Sequence, residues 1–204
     1  MSPKARIAVL VSGGGTNLQA LLDAQNAGKL RSGEIVFVVS NNPDAYAIQR
    51  ARRAGVESMV ISGSKLTFES ALLSTLARHE IDIIVLAGFM RILSENVIRQ
   101  YEGRIVNVHP SLIPSFCGEG YYGLKVHEQA LARGVKVTGA TVHIVNEIPD
   151  GGPILLQKAV EVQPGDTPEV LQKRVMEQAE WVLLPRAVEM LSAQVVEEKE
   201  KRYD

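Results

Sequence analysis

GRIVNVHPS, residues 103–111, is the stretch on which the reading of the fold turns. Ile105, Val106 and Val108 are strand formers, and side chains alternate faces along a strand, so Asn107 and His109, two apart, project to the same side. Pro110 cannot donate to a sheet ladder and pushes His109 towards extended geometry, which ends the strand with His109 at its carboxyl end. Ligands of open α/β sheets bind at that edge. Taken alone, the pair reads as readily as two buried polar groups satisfied by neighbours, so the flanking chain has to decide.

Upstream, the pattern alternates. Ile7 to Val11 (IAVLV) is a continuous apolar run, the mark of a central strand covered on both faces. The glycine loop SGGGTN follows, then NLQALLDAQNAG, whose Leu18, Leu21 and Leu22 recur at helical spacing up to a stop at Gly28. Glu34 to Ser40 is a second strand, closed by the turn residues Asn41, Asn42 and Pro43. AYAIQRARRAG is a helix, ESMVIS a third strand and Thr67 to His79 a third helix. IDIIVLAGFM is a buried fourth strand, leading to a short helix for which Ser94 is the expected cap. Strands separated by helices predict right-handed βαβ units and a doubly wound parallel sheet.

After Pro110 the period is lost. SLIPSFCGEGYYG, with one proline and three glycines beyond it, reads as an exposed loop, and LKVHEQALARG as a helix stopped by Gly134. VKVTGATVHIVNE and PILLQKAVEV are two strands joined by IPDGG, so the sheet should end in antiparallel pairing. Thr167 to Leu191 closes the chain as one long helix, with Thr167 as cap and Pro168 at its first position; the charged tail EEKEKRYD is expected to be solvated or frayed.

Totals narrow the function classes. At 204 residues one well-cored domain, 1–204, is expected. Twenty-two basic against 23 acidic side chains give a net charge of −1, leaving no broad positive field for a nucleic-acid backbone. The longest apolar run is interrupted by Asp82 and is far below the roughly 20 residues that span a bilayer. A single cysteine, Cys117, forms no internal disulfide, and the start of the chain lacks a signal-peptide pattern, so a cytoplasmic protein acting away from membranes is expected.

The loop SGGGTN sits between the first strand and first helix, where close-approaching N–H groups and the helix N-terminus favour a phosphate. A Walker loop would need Lys followed by Ser or Thr, and a dinucleotide fingerprint would need glycine where Leu18 stands, so a monophosphate fits better than NAD or ATP; a ligand-free turn is the alternative. Of four histidines, only His109 is placed at a strand end beside another polar group. His79 and His127 are expected on helices facing solvent, and His143 as a satisfied core residue. No His, Cys and carboxylate set has metal-ligand spacing, so no metal is expected. Cys117 lacks an adjacent base and is a weak nucleophile candidate. Asp150 alone is a turn residue, but its loop could reach His109 across the carboxyl edge, where it would raise the histidine pKa and favour imidazolium.

VLVSGGGTNLQALLDA, LAGFMRILS, IVNVHPSLIP and VHIVNEIPDGGPI, in that order and spacing, resemble the phosphoribosylglycinamide formyltransferases, folate-dependent enzymes of purine synthesis. HPSL-P with a downstream DGGP marks the wider folate formyltransferase family, and the glycine loop narrows the likeness to the purine enzyme or its deformylase relative. The resemblance implies a mostly parallel, doubly wound sheet with an antiparallel C-terminal portion and a long C-terminal helix. It implies formyl transfer from 10-formyltetrahydrofolate, as cosubstrate, to the amine of glycinamide ribonucleotide, with small-molecule partners and a monomeric or homodimeric state. Asn107, His109 and Asp150 match the catalytic trio. Gly15, Thr16 and Asn17 would hold the ribose phosphate and Glu180 the glycinamide substrate. Lys65, Met90, Arg91, Ile92 and Leu93, with Asn107, Asn146, Glu147, Ile148, Pro149 and Asp150, would line the folate site. Without the resemblance, Glu180 and Lys65 read as solvated surface charges.

Lys65 stands where the family often has Arg, and as Lys lacks the planar guanidinium fork it implies a weaker grip on the folate tail. Trp181 stands where His is common, and SFCGEGYYG is longer than in many relatives. A deformylase would share the trio and use water as acceptor, but is expected to carry a regulatory domain ahead of a first strand that here starts at Ile7. A methionyl-tRNA formyltransferase is expected to carry a further basic RNA-binding domain. A non-catalytic nucleotide-binding module would need the glycine loop and not the trio.

Overall fold

The computed structural model describes residues 4–201. Its centre is a seven-stranded sheet of β1 (Ala5–Val11), β2 (Gly33–Ser40), β3 (Glu57–Val60), β4 (Ile83–Leu86), β5 (Ile105–His109), β6 (Val137–Ile144) and β7 (Ile154–Glu161), in the spatial order β3-β2-β1-β4-β5-β6-β7. The first five strands pair in parallel; β6 runs antiparallel to β5, and β7 to β6. This is the mostly parallel, doubly wound sheet with an antiparallel end that the alternating pattern predicts.

The apolar run of β1 is continuous because both faces are covered. Ile7, Val9 and Val11 enter one core with Leu18, Leu21 and Leu22 of α1 (Thr16–Asn26), Ala47 and Ile48 of α2 (Tyr46–Arg53), and Leu184 and Val188 near the C-terminus. Ala8 and Leu10 enter the other, with Phe68, Leu72 and Leu76 of α3 (Lys65–Arg78) and Val97 and Ile98 of α4 (Glu95–Gln100). Phe37 and Phe68 are both fully buried in this second core, where each apolar side chain removed from water contributes roughly 1.5–3 kcal/mol.

Helix ends depart from the sequence reading where side chains take other partners. Helix α3 starts at Lys65, two residues ahead of the expected Thr67, because Ser64 Oγ accepts from the Thr67 N–H at 3.2 Å. Ser94 does stand at the N-cap of α4, but its side chain makes no cap bond; its own N–H donates to Glu69 Oε1 at 2.7 Å. Thr167 and Pro168 start the terminal helix as expected. That helix is not one regular run: α6 (Pro168–Val175) passes into a π-turn over Met176–Glu180 and then into α7 (Trp181–Glu200), well beyond Leu191. The tail is thus helical to Glu200, and its last residues, Arg202 to Asp204, lie outside the described residues.

No helix among the described residues is long and apolar enough to cross a membrane.

Candidate active site

Strand β5 places Ile105, Asn107 and His109 on one face and Val106 and Val108 on the other, and it ends at His109 as Pro110 requires. Antiparallel register then sets His143 of β6 directly opposite Asn107, and Thr141 opposite His109. Beyond β6 the chain turns through Asn146–Gly152 and returns Asp150 to the same edge. Asp150 sits at φ +55°, a left-handed conformation that Asp tolerates better than most residues.

Four side chains meet there. Asp150 Oδ2 lies 3.4 Å from His109 Nδ1, and Asp150 Oδ1 lies 3.4 Å from both His143 Nε2 and Asn107 Nδ2. Asn107 Nδ2 is 3.2 Å from His143 Nε2. His109 Nε2 donates to the Phe116 carbonyl at 2.8 Å, and the Gly118 N–H donates to Asp150 Oδ2 at 2.9 Å, so the loop after Pro110 folds over the cluster. Phe116 is held at φ +51°, rare for a bulky residue.

Electrostatics correct one expectation. Burial holds the His109 pKa below its ordinary value, and the upward pull of Asp150 and the Phe116 carbonyl does not overcome it, while His143 pushes it further down. Asp150 thus pulls the imidazole in the expected direction, and burial outweighs the pull. Burial alone would raise Asp150, but its polar contacts with His143, His109 and the Gly118 N–H hold it below the usual carboxylate range. Burial, with Asp150 adding, pushes the Cys117 thiol up, away from the thiolate a nucleophile needs.

The cluster opens on a cavity of about 600 Å³. Asn107, His109 and Asp150 line it. Its wall also carries Met90, Arg91, Ile92 and Leu93, Asn146, Glu147, Ile148 and Pro149, and Asn17, Met176 and Glu180. Met90, Ile92 and Ile148 are large apolar side chains left exposed, which suits a flat, weakly polar ligand. The Met90 N–H donates to Ser12 Oγ at 2.8 Å, tying this wall to the glycine loop. The Arg91 guanidinium donates to the Gly63 carbonyl and lies over the Phe68 ring.

Glu180 is not the surface charge its flanking sequence implies. It is 6% exposed and accepts from Asn17 Nδ2 at 2.7 Å, and burial pushes its pKa up to about 7 against that hydrogen bond. The π-turn ends on it, and such turns recur at functional positions because the extra residue re-aims a side chain. Gly15 is required by its left-handed φ of +71° and by Ala47, whose Cβ would stand 2.6 Å from any Cβ at that position. At Gly13 and Gly14 a Cβ would meet nothing within 4 Å, so packing does not demand glycine there and the backbone lies open to a ligand.

Gly15 and Thr16 lie beside the cavity and not in its wall; Thr16 faces a neighbouring groove between α1 and α7. Lys65 is exposed at the first residue of α3 and also stands outside the wall. The histidine expectations need revision. His127, expected to face solvent, lies on α5 (Leu124–Arg133), is fully buried beside the cavity, has neither ring nitrogen hydrogen-bonded, and has its pKa lowered to about 4, chiefly by burial. His79 caps the end of α3 and packs on the Phe37 ring at 4.1 Å. His143 is buried, but in the cluster. Its only sequence signal was a place within a strand expected in the antiparallel part of the sheet; in the structure it stands one residue before β6 ends at Ile144. Among the described residues, no group of three or more His, Cys, Asp or Glu could hold a metal ion.

An amide donor, an imidazole and a carboxylate at the carboxyl edge of a doubly wound sheet can stabilise an oxyanion and move a proton, the chemistry of acyl transfer. The formyl transferase family model matches residues 5–188, and the chain belongs to that family. It is 43% identical over 198 residues to the trifunctional purine biosynthetic protein adenosine-3 of Homo sapiens, a match that covers 95% of this chain and 19% of that protein. The chain thus spans less than a fifth of the trifunctional relatives. It is 40% identical over 176 residues to the phosphoribosylglycinamide formyltransferase of Escherichia coli (strain K12), covering 84% of this chain and 80% of that one. The crystal structure of glycinamide ribonucleotide transformylase 1 from Symbiobacterium toebii matches with a TM-score of 0.87 at 41% identity, over 94% of this chain and 89% of that chain. A formyltetrahydrofolate deformylase from Pseudomonas putida KT2440 matches with a TM-score of 0.80 at 30% identity, over 92% of this chain and 65% of that chain.

Proposed function

We propose that this chain transfers the formyl group of 10-formyltetrahydrofolate to the amine of glycinamide ribonucleotide, as one formyltransferase domain. The observation that carries the reading is that Asn107, His109 and Asp150 line one cavity together with exposed Met90, Ile92 and Ile148 and the hydrogen-bonded Asn17–Glu180 pair. Relatives named phosphoribosylglycinamide formyltransferase support it at 40% identity over most of both chains. The deformylase match is weaker in identity and in coverage of the other chain.

On this reading the folate lies between Met90–Leu93 and Asn146–Asp150, with Lys65 near its tail, and supplies an activated formyl carbon. The ribonucleotide phosphate sits on the backbone of Gly15 to Asn17, and Glu180 meets the substrate beyond it. Asn107 Nδ2 donates to the formyl oxygen as negative charge gathers there. His109 begins neutral, because burial lowers its pKa. Substrate entry parts Nε2 from the Phe116 carbonyl; the ring proton then belongs on Nδ1, facing Asp150 Oδ2, and bare Nε2 takes the proton of the attacking amine. The same nitrogen returns that proton to the departing folate nitrogen, so the amine loses one proton and the leaving group gains one. The reading extends to a cytoplasmic protein, monomeric or homodimeric, whose partners are small molecules and not nucleic acid.

Purified protein mixed with glycinamide ribonucleotide and 10-formyltetrahydrofolate should release tetrahydrofolate only when both are present. Release without the amine would identify a hydrolase, and binding of the ribonucleotide without turnover would identify a nucleotide-binding module.

A further inference from the structure

The glycine loop is held from α2. The Ala47 N–H donates to the Gly13 carbonyl at 3.1 Å, and Arg50 Nε donates to the Gly14 carbonyl at 2.8 Å. In a trans peptide the N–H of the next residue points opposite to the carbonyl, so the N–H groups of Gly14 and Gly15 are turned away from these donors. Among the described residues neither N–H has a protein acceptor. The missing side chain of Gly15 lets α2 come this close, since a Cβ there would meet Ala47 Cβ at 2.6 Å and Arg50 Cδ at 3.4 Å.

The Arg50 guanidinium is itself fixed. Its Nη1 donates to Gln19 Oε1 of α1 at 3.0 Å, and its central carbon lies 5.1 Å from the centre of the Tyr46 ring at the start of α2. The peptide it holds joins two glycines, so no Cβ resists a flip that would exchange the carbonyl for the N–H. A separate mark of a ligand stands two residues on: Asn17 is 8% exposed and lines the cavity, its Nδ2 is committed to Glu180, and its buried Oδ1 has no partner. A buried acceptor in a cavity wall, left open by the protein, is one that a bound molecule can complete.

We propose that Arg50 is a positioning residue for the ribonucleotide phosphate: its Nε–H holds the Gly14–Gly15 peptide with the carbonyl towards α2 and the Gly15 N–H towards the anion. The inference rests on the formyl-transfer reading, which seats the phosphate on Gly15 to Asn17, and adds the residue that orients this seat. Arg50 acts through the peptide and not as a charge on the phosphate, because its side chain lines the groove between α1 and α7 and not the cavity. Without it the Gly14–Gly15 peptide is free to turn its carbonyl, the wrong dipole, towards the anion.

Two variants separate hydrogen bond from charge. Arg50→Gln keeps a neutral N–H donor as many bonds from the backbone as Nε and removes the charge; Arg50→Met keeps the length and removes both. Arg50→Met should raise KM for the ribonucleotide by about 5- to 20-fold, with kcat and KM for the folate within about twofold, and Arg50→Gln should stay within about threefold of the unsubstituted enzyme throughout. An unchanged ribonucleotide KM in Arg50→Met would overturn the proposal, and so would an Arg50→Gln as impaired as Arg50→Met, which would assign the effect to charge. Inorganic phosphate titrated into isotope-labelled protein gives a reading free of turnover: the Gly15 amide resonance should shift, and the midpoint should rise by about 5- to 20-fold in Arg50→Met. Should Arg50→Met fail to fold, the titration is read on Arg50→Gln, whose midpoint must stay within about threefold of the parent. Phosphate that leaves the Gly15 amide unmoved overturns the proposal, whereas the shift without any turnover would count against formyl transfer alone.

Discussion

Asn17 Nδ2 donates to Glu180 Oε2 across 2.7 Å, linking the first turn of α1 to the last residue of the π-turn, 163 positions later. Burial lifts the Glu180 pKa from 4.5 to about 7, so between these values the folded protein holds a proton that the unfolded chain has released. Stability from this group is fully present below pH 4.5 and is lost as pH rises through 7, by roughly 3 kcal/mol at most. Glu180→Gln should remove that loss. The difference in unfolding free energy between variant and parent should be small at pH 5 and favour the variant by about 1–3 kcal/mol at pH 8. KM for the ribonucleotide should rise in the same variant. Parallel stability curves from pH 5 to pH 8 would contradict the raised pKa.

His109 gives the opposite sign in activity. Its neutral form is the proton acceptor, so kcat/KM should fall as pH drops through a midpoint below the ordinary histidine value, the direction in which burial moves it. Asp150→Asn keeps a residue that tolerates φ +55° and removes the charge that pulls His109 upward. The midpoint should then move to still lower pH. Loss of the group that orients the imidazole should cost about 100-fold or more in kcat. A midpoint that stays put, measured over pH 4.5 to 8, would separate Asp150 from His109.

Asn107→Ala tests the oxyanion donor directly. Removing one such donor costs about 10² to 10³ in kcat, with ground-state binding little affected. Steady-state rates that drop less than about tenfold, or a loss confined to KM, would give the amide a binding role instead.

What the sequence reveals here depends on period and on punctuation. Alternating apolar runs and turn residues announce the doubly wound sheet, and Pro110 announces where β5 ends, because both act locally along the chain. Position 143 could not be read that way: the same His in the same strand is a core residue or a site residue according to register, and register is decided by the pairing of β6 with β5. Glu180 was hidden by its residue type, since an acid reads as surface although it stands three and four residues ahead of buried Leu183 and Leu184, on the same helical stripe. His127 was misjudged because helical spacing identifies a stripe but not the depth at which it lies. The His109 pKa escaped for a related reason: the charge of Asp150 is visible in sequence and the opposing desolvation is not.

Two glycines should separate folding from binding. A Cβ at Gly152 would stand 1.8 Å from the Ile144 carbonyl oxygen and 2.9 Å from its carbon, both backbone atoms that cannot swing aside. The obstructed residue ends β6, next to His143, and its N–H donates to the Pro153 carbonyl at 2.8 Å to close the turn. Gly152→Ala must therefore open that turn or move the strand end, either of which displaces Asp150 and His143 together. Unfolding free energy should fall by about 2–4 kcal/mol and kcat with it. At Gly13 the added Cβ meets nothing within 4 Å, so Gly13→Ala should leave stability within about 0.5–1 kcal/mol while a methyl now crowds the open backbone and raises KM for the ribonucleotide alone. Denaturant melts and KM values for each substrate distinguish the two outcomes. If Gly13→Ala changed neither KM, the glycine loop would be a structural turn, and the phosphate would have to be held elsewhere in the cavity.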